Sequence, residues 1–276
     1  MATSATSEQL LVIIDPAARQ GDGESVRIAK DVLSAGAAAK VCLPDGPEEF
    51  ARVLGRRGSR RPVVVGDDRA LVRAVTFLHR HRELSDCALS VVPVGSTGLA
   101  QSLGVPPGAV AAARAVLEGS VRRLDLLVDD SDGVVLGCLG IPPASVRAAV
   151  PEPVGAPPAH PWLRSTYRTL VRTLASRPAA RLRVEIDGET VTDLDHPVET
   201  VSVTPSGHGL ASVEIHPFAD STPSVRTSAR TITVTGENFH YRADAVTSGP
   251  VRRRTWRVAE GAWGLVVPRG GPEAGC

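Results

Sequence analysis

Aromatic residues and lysine are scarce in this sequence. Phe, Tyr and Trp together make up 3% of the 276 residues, and Lys30 and Lys40 are the only lysines among 31 basic residues. So few aromatic side chains cannot build the stacking platforms of single-stranded nucleic-acid binders. The net charge is +1, and the two short arginine clusters at 56–61 and 252–254 are interpreted as solvated surface. We therefore expect no nucleic-acid partner.

Long hydrophobic runs and paired cysteine motifs are also absent. No apolar run approaches the ~18 residues of a membrane-spanning helix, and the first residues lack the basic and apolar regions of a signal peptide. The cysteines have no C-x-x-C spacing, and we interpret the first three as reduced core residues. They are Cys42, Cys87, Cys138 and Cys276. We expect a cytoplasmic protein that at most rests on the inner face of a membrane.

Three common enzyme motifs are missing. The sequence has no G-x-x-x-x-G-K-[ST] loop, and its first strand is followed by IIDPAARQG instead of G-x-G-x-x-G. The GSTG string at 95–98 has its serine at the wrong offset for a G-x-S-x-G nucleophile elbow. The chain is therefore not expected to be a P-loop NTPase, a Rossmann dinucleotide enzyme or an α/β-hydrolase.

Residues 9 to about 124 alternate between apolar strands and amphipathic helices. Strands such as 9–15 and 62–66 are apolar on both faces, and helices such as 24–35 and 69–82 carry apolar residues at helical spacing. Such an alternation is typical of a parallel sheet covered on both sides. The other predicted elements are strands at 39–44 and 88–92 and helices at 47–57 and 107–118.

The pattern changes beyond residue 124. A hairpin is predicted at 123–139, from the sequence RLDLLVDDSDGVVLGCL. The Pro- and Ala-rich stretch 141–161 predicts a mobile loop, and the pattern at 161–175 predicts a helix. Short strands separated by turn signals about every 8–12 residues follow, as in an antiparallel sandwich. We therefore predict an α/β domain with a parallel sheet at 8–124 and an antiparallel β-sandwich domain at 125–268.

Two adjacent carboxylates lie where the third predicted strand turns into its helix. The stretch VVVGDDRALVRAV, residues 63–75, has Asp67 and Asp68 at the turn. The free N–H groups and the dipole of a helix's first turn attract phosphate, which a bare carboxylate would repel. The aspartates fit this place if a divalent cation lies between them and a phosphate, or if they only cap the helix.

Motifs at three strand ends together resemble a known family. Asp15-Pro16 follows the first strand, Gly66-Asp67-Asp68 the third, and VVPVGSTGLAQSLGVP (91–106) includes the end of the fourth. This order is similar to that of the diacylglycerol kinase and sphingosine kinase family of lipid kinases. The family has Asn-Pro, Gly-Gly-Asp-Gly-Thr and Pro-Leu-Gly-Thr-Gly-Asn-Asp at these places, and a following β-sandwich domain supplies its catalytic base. The resemblance spans nearly the whole chain.

The resemblance implies an ATP-dependent kinase that phosphorylates a lipid hydroxyl at a membrane surface. ATP and Mg²⁺ are the implied cofactors, with Asp68 as the metal-side carboxylate and Asp244 as the catalytic base. The arginines at 56, 57, 60 and 61 are candidates for contact with anionic headgroups. The remaining implied nucleotide-binding residues also lie at the strand ends: Asp15, Gly66, Asp67, Arg69, Gly95, Ser96, Thr97 and Gly98.

Departures from the family pattern keep a second interpretation open. Asp67 and Arg69 stand where the family has phosphate-cradling glycines, although Arg69 could itself donate to a phosphate. The 93–99 loop is one residue short and lacks the Asn-Asp pair. Asp244-Ala245-Val246 replaces the family's Asp-Gly-Glu, so the glutamate is missing, and the intact Asp-Gly-Glu at 187–189 is interpreted as a hairpin turn.

Three functions therefore remain in view. The first is the lipid kinase, and the second is a catalytically inactive relative that serves as a binding or regulatory module. The third, weaker interpretation is a kinase of a small alcohol or nucleotide, because NAD kinases are similar in two-domain layout and in their Gly-Gly-Asp loop.

Overall fold

The computed structural model describes residues 9–142, 180–218 and 223–269. The predicted helix at 161–175 and all but the first two residues of the predicted loop at 141–161 lie outside these ranges. Among the described residues, no helix is long and apolar enough to cross a membrane.

Four parallel strands form the sheet of the N-terminal half. They are β1 (Gln9–Ile14), β2 (Ala38–Cys42), β3 (Arg61–Gly66) and β4 (Ala88–Pro93), in the order β2-β1-β3-β4. The three inner strands are buried over nearly their whole length, as their continuous apolar runs predicted. After β2 the chain crosses β1 to form β3, so the strand order reverses between β1 and β3. Ligands of open α/β sheets bind at such a switch point, outside the carboxyl ends of the strands.

Helices cover this sheet. They are α1 (Pro16–Gly21), α2 (Gly23–Gly36), α3 (Pro47–Gly55), α4 (Asp68–Arg80), α5 (Gly98–Ser102) and α6 (Ala109–Glu118). The four longer ones agree with the predicted helices to within two residues at every end. No bounds were predicted for α1 and α5, because both are too short to show helical periodicity. Both begin at the carboxyl end of a strand, and they therefore contribute directly to the switch point.

The C-terminal half consists of antiparallel strands, as predicted. The last strand, β14 (Val246–Val267), pairs with β13 (Thr231–Ala243) and β5 (Ser120–Asp129). Its end also pairs in parallel with β4 through Gly264 and Leu265. One continuous sheet therefore runs through both halves. The strands are β5 (Ser120–Asp129), β6 (Val134–Val135), β7 (Leu139–Ile141), β8 (Leu182–Ile186), β9 (Glu189–Thr192), β10 (Val198–Gly207), β11 (Leu210–Pro217), β12 (Val225–Ala229), β13 (Thr231–Ala243) and β14 (Val246–Val267).

The buried side chains form two apolar clusters. The first joins the parallel strands and helices to Trp263 and Leu265 of β14, and the second fills the space between strands of the C-terminal half around Trp256. The last strand thus contributes to the N-terminal core although it lies more than 100 residues beyond β4 in the sequence. The domain boundary near residue 124 stays a prediction.

The prediction of a hairpin turn at Asp187-Gly188 is confirmed. The two residues join β8 to β9 with φ of 50° and 93°, the positive values that a two-residue turn requires. The Asp187 carboxylate accepts hydrogen bonds from the N–H groups of Arg230 and Thr231. The intact Asp-Gly-Glu string is therefore a structural turn.

Two interpretations of the sequence were wrong in part: that the first three cysteines lie in the core, and that the arginines at 56–61 form solvated surface. Cys138 is exposed and does not belong to the core, because it lies in the short segment between β6 and β7; Cys87 is buried and Cys42 half-buried. Arg57 pairs with Glu83, and Arg61 donates to the Val116 carbonyl at 2.7 Å. These two arginines stabilise the packing of the N-terminal half and do not form one solvated cluster with their neighbours.

Candidate functional site at the sheet switch point

Three loops meet at the carboxyl ends of β1, β3 and β4. Backbone hydrogen bonds join them: the Asp15 N–H donates to Val65, the Val94 N–H to Gly66, and the Asp68 N–H to Ser96, each at 2.9 Å. The loops therefore have a fixed arrangement, as neighbouring strands dictate. We call the space outside them, together with the Asp244 turn described below, the switch-point site.

Asp15 lies at the edge of this site, directly after β1. Its carboxyl Oδ1 accepts from the Ala17 N–H at 3.0 Å and so caps α1, while Oδ2 accepts from Arg73 of α4 at 2.7 Å. Asp15 is buried, and the guanidinium also lies 5.5 Å from the centre of the Phe50 ring. The sequence analysis found Asp15 but missed Arg73. Its one sequence signal is a basic residue between the apolar positions of α4, which is common on helices.

Gly66 closes the turn between β3 and α4. A Cβ added there would lie 2.8 Å from the Ala70 Cβ and 3.0 Å from the Asp15 Cβ. The glycine is therefore needed for close packing of the β1 and β3 ends, and its φ is not in the left-handed region.

We expect Gly66→Ala to lower the free energy of unfolding by about 1–3 kcal/mol, because the new methyl group forces the two loops apart. Gly98→Ala is the matched control, since a Cβ at Gly98 would meet nothing within 4 Å. Urea denaturation of both variants measures the difference. Equal stability of the two variants would contradict this account of the turn.

Asp67 is the N-cap of α4, which agrees with the interpretation that the aspartates at this turn cap the helix. Its Oδ1 accepts from the Ala70 N–H at 3.0 Å. Its Oδ2 accepts no hydrogen bond from any described residue. The Asp67 Cβ lies 3.6 Å from the position that a Cβ on Gly95 would take, so the side chain is next to the loop after β4.

Asp68 has a different environment. The side chain is buried, and its two oxygens accept from the N–H groups of Leu99 and Ala100, each at 3.0 Å. Thr97, at the N-cap position of α5, makes no capping hydrogen bond with its own side chain. Asp68 therefore caps α5 from a neighbouring helix and holds the two helices together.

The loop from β4 to α5 contains the remaining predicted residues of this half. Gly95 has a φ of +94°, which only glycine adopts without strain, and it is exposed together with Ser96 and Gly98. The Thr97 hydroxyl accepts from Gln101 at 2.9 Å. Arg69 is exposed on the first turn of α4 and makes no ion pair with any described residue.

Asp244 reaches the same site from the C-terminal half. It lies in the turn between β13 and β14, and its carboxylate accepts from the N–H groups of Leu136, Gly137 and Cys138 at 2.7–2.9 Å. A Cβ on Gly137 would lie 2.5 Å from a methyl carbon of Leu99 in α5 and 3.2 Å from an Asp244 oxygen. The 136–138 segment is thus in contact with both α5 and Asp244.

The pKa of Asp244 is raised in part by Asp68, a residue of the N-terminal half. Burial raises the pKa of the Asp244 carboxyl, and the negative charge of Asp68 raises it further, although the three amide hydrogen bonds act in the opposite direction. The structure thus brings the predicted residues of both halves to one edge of the sheet. Val246, where the resemblance implies a glutamate, is 44% exposed and has no ionisable group.

Comparison with known proteins gives a match of fold. No family model matches the chain, and no curated protein matches its sequence. Among solved structures, two proteins provisionally named diacylglycerol kinases from Bacillus anthracis str. Sterne superpose with TM-scores of 0.74 and 0.73 at 16% and 15% identity, and the alignments cover 97–99% of this chain and 99–100% of theirs. A third structure, described as a diacylglycerol kinase from the same organism, has a TM-score of 0.69 at 14% identity over 97% of this chain and 99% of its own. The described part of the chain therefore has the fold of these structures.

Proposed function

We propose that this chain is a lipid kinase of the diacylglycerol kinase type, which transfers a phosphoryl group from ATP to a lipid hydroxyl. One observation carries the proposal: the loops after β1, β3 and β4 meet at the switch point, where nucleotides bind in open α/β sheets, and a carboxylate from the C-terminal half joins them. The full-length match of fold to proteins named diacylglycerol kinases supports it.

The phosphates would lie against the loop from Gly95 to Gly98. Gly95 and Gly98 are exposed and have no Cβ, so a phosphate can approach their backbone closely, and the φ of +94° at Gly95 is one that glycine adopts without strain. Arg69 and Arg73 supply positive charge on the α4 side of the site. Phosphoryl transfer depends mainly on this kind of positioning and charge stabilisation.

Magnesium fits this site only as an ion that arrives with the nucleotide. No group of three His, Cys, Asp or Glu side chains among the described residues could hold a metal alone. Magnesium, however, commonly binds one or two carboxylates together with substrate phosphates. In Asp67, Oδ1 accepts from Ala70, and Oδ2 accepts no hydrogen bond from a described residue. When bound, the ion would neutralise charge that develops on the phosphates.

Asp244 would accept the proton of the lipid hydroxyl. A raised pKa makes a carboxylate a better base near neutral pH, and desolvation of the half-buried Asp244 carboxyl, with the charge of Asp68 nearby, provides that rise.

A second candidate is a non-catalytic relative that binds the same ligands. It is favoured by the Asp244 carboxylate, whose oxygens already accept three backbone hydrogen bonds, and by Val246 in place of a carboxylate. In this case the switch-point site would act in ligand binding alone.

Transfer of labelled phosphate decides between these functions. We expect the full chain, incubated with γ-labelled ATP, Mg²⁺ and vesicles containing diacylglycerol, to yield labelled phospholipid, and Asp244→Asn to lower the yield at least about tenfold. Calorimetric ATP binding without labelled product from diacylglycerol or from other lipid alcohols would favour the non-catalytic candidate. Absence of ATP binding would contradict both.

A further inference from the structure

The four carboxylates at the switch-point site differ in how much of their hydrogen-bonding capacity is used. One carboxylate oxygen of Asp15 accepts a hydrogen bond from a backbone N–H, and the other accepts from Arg73. Both oxygens of Asp68 accept from backbone N–H groups of α5. Asp244 accepts three amide hydrogen bonds. These three side chains are therefore held by the protein itself.

Asp67 is the exception. Among the described residues only the Ala70 N–H donates to the Asp67 carboxylate, at Oδ1, and the side chain is half-buried, so that Oδ2 is open to a ligand. The capping bond holds the carboxylate at the N-terminus of α4. The Asp67 Cβ is 3.6 Å from the position that a Cβ on Gly95 would take, so the side chain lies next to the loop that carries the Ser96 and Thr97 hydroxyls. Oxygen donors of this kind are the ones that a hard divalent cation prefers.

We infer that Asp67, and not Asp68, is the residue that contacts the metal of a bound metal–nucleotide complex. The inference rests on the proposed function, because the ion arrives with the phosphates. It reverses the roles that the resemblance implied: Asp68 positions α5, and the aspartate that replaced a glycine takes over the contact with the cation.

The position of Asp67 also explains how the loop can work without that glycine. A glycine would bring an N–H group to the phosphate oxygens, whereas an aspartate repels them unless a cation lies between. Nucleotide binding by this chain should consequently depend on a divalent cation more steeply than it would with a neutral side chain at residue 67.

Asp67→Asn tests the inference because asparagine caps helices as well as aspartate does. The variant keeps an oxygen for the Ala70 N–H and loses the charge. Asp22→Asn is the matched control, since Asp22 is also an N-cap with one 3.0 Å bond, to Ser25, but it is exposed and belongs to none of the loops at the switch point. Thermal melts should show that both variants fold like the wild type.

The measurement is calorimetric titration of the full chain with ATP, in Mg²⁺ and in EDTA. We expect Mg²⁺ to lower the dissociation constant for ATP in the wild type and in Asp22→Asn. In Asp67→Asn we expect this Mg²⁺-dependent factor to be smaller by at least about tenfold. An unchanged gain in Asp67→Asn would overturn the inference and leave the proposed function standing. Absence of ATP binding to the wild type in either buffer would overturn both.

Discussion

Replacing Asp244 with alanine is expected to lower the free energy of unfolding by about 3 kcal/mol or more, because three backbone N–H groups lose their acceptor at once. These groups belong to Leu136, Gly137 and Cys138, in the segment between β6 and β7. Leu136 is 2% exposed, so water cannot readily replace the carboxylate there. The same segment packs against Leu99, and its loosening should also disturb α5. Urea denaturation of the full chain measures the loss.

Asp187→Ala provides the matched control for this experiment. Asp187 and Asp244 have the same φ of 50°, so the backbone strain added by alanine is similar in both variants. Asp187 also accepts backbone hydrogen bonds, from Arg230 and Thr231, but at an exposed turn where water can replace it. We expect a loss of about 1 kcal/mol there. Losses of equal size would show that the buried position of the Asp244 hydrogen bonds adds nothing to their contribution.

The alternation of strands and helices in the N-terminal half could be predicted because it is a local property. A strand buried on both faces needs a continuous apolar run, and α4 needs apolar residues at helical spacing, which Leu71, Val75 and Leu78 provide. The pairing of β14 with β4 could not be predicted in this way. It joins residues far apart in the sequence, and nothing in the 264–267 stretch distinguishes a strand of one half from a strand of the other.

The candidate site was predictable as a set of positions and not as a set of contacts. The strand-end motifs identified Asp15 and Asp68, the resemblance implied Asp244, and the structure brings these positions to one edge. Which atoms bind each carboxylate depends on tertiary packing: Asp68 caps a helix that begins 30 residues later, and Asp244 holds amides more than 100 residues earlier. A sequence pattern cannot tell such a cap from a metal ligand, because both require an aspartate.

Removal of Arg73 should reveal how strongly the switch-point site depends on a single ion pair. Asp15 is only 4% exposed, and Arg73→Ala leaves its carboxylate without a positive partner. Breaking a fully buried pair costs about 3–5 kcal/mol, and because the Arg73 side chain is 33% exposed we expect about 2 kcal/mol. The loss should appear in urea denaturation of the full chain.

A double-mutant cycle with Asp15→Asn separates charge from packing. Asparagine at residue 15 keeps an oxygen for the Ala17 N–H and removes the buried charge, so Arg73→Ala should cost less in the Asp15→Asn background, with a coupling of about 1–2 kcal/mol. What remains in that background measures the contact of the guanidinium with the Phe50 ring, worth about 0.5–1 kcal/mol. Additive effects of the two substitutions would mean that Asp15 is stabilised by its amide hydrogen bond alone. In that case Arg73 would be free to turn towards a bound phosphate, and the charge it supplies to the site would not be fixed in advance.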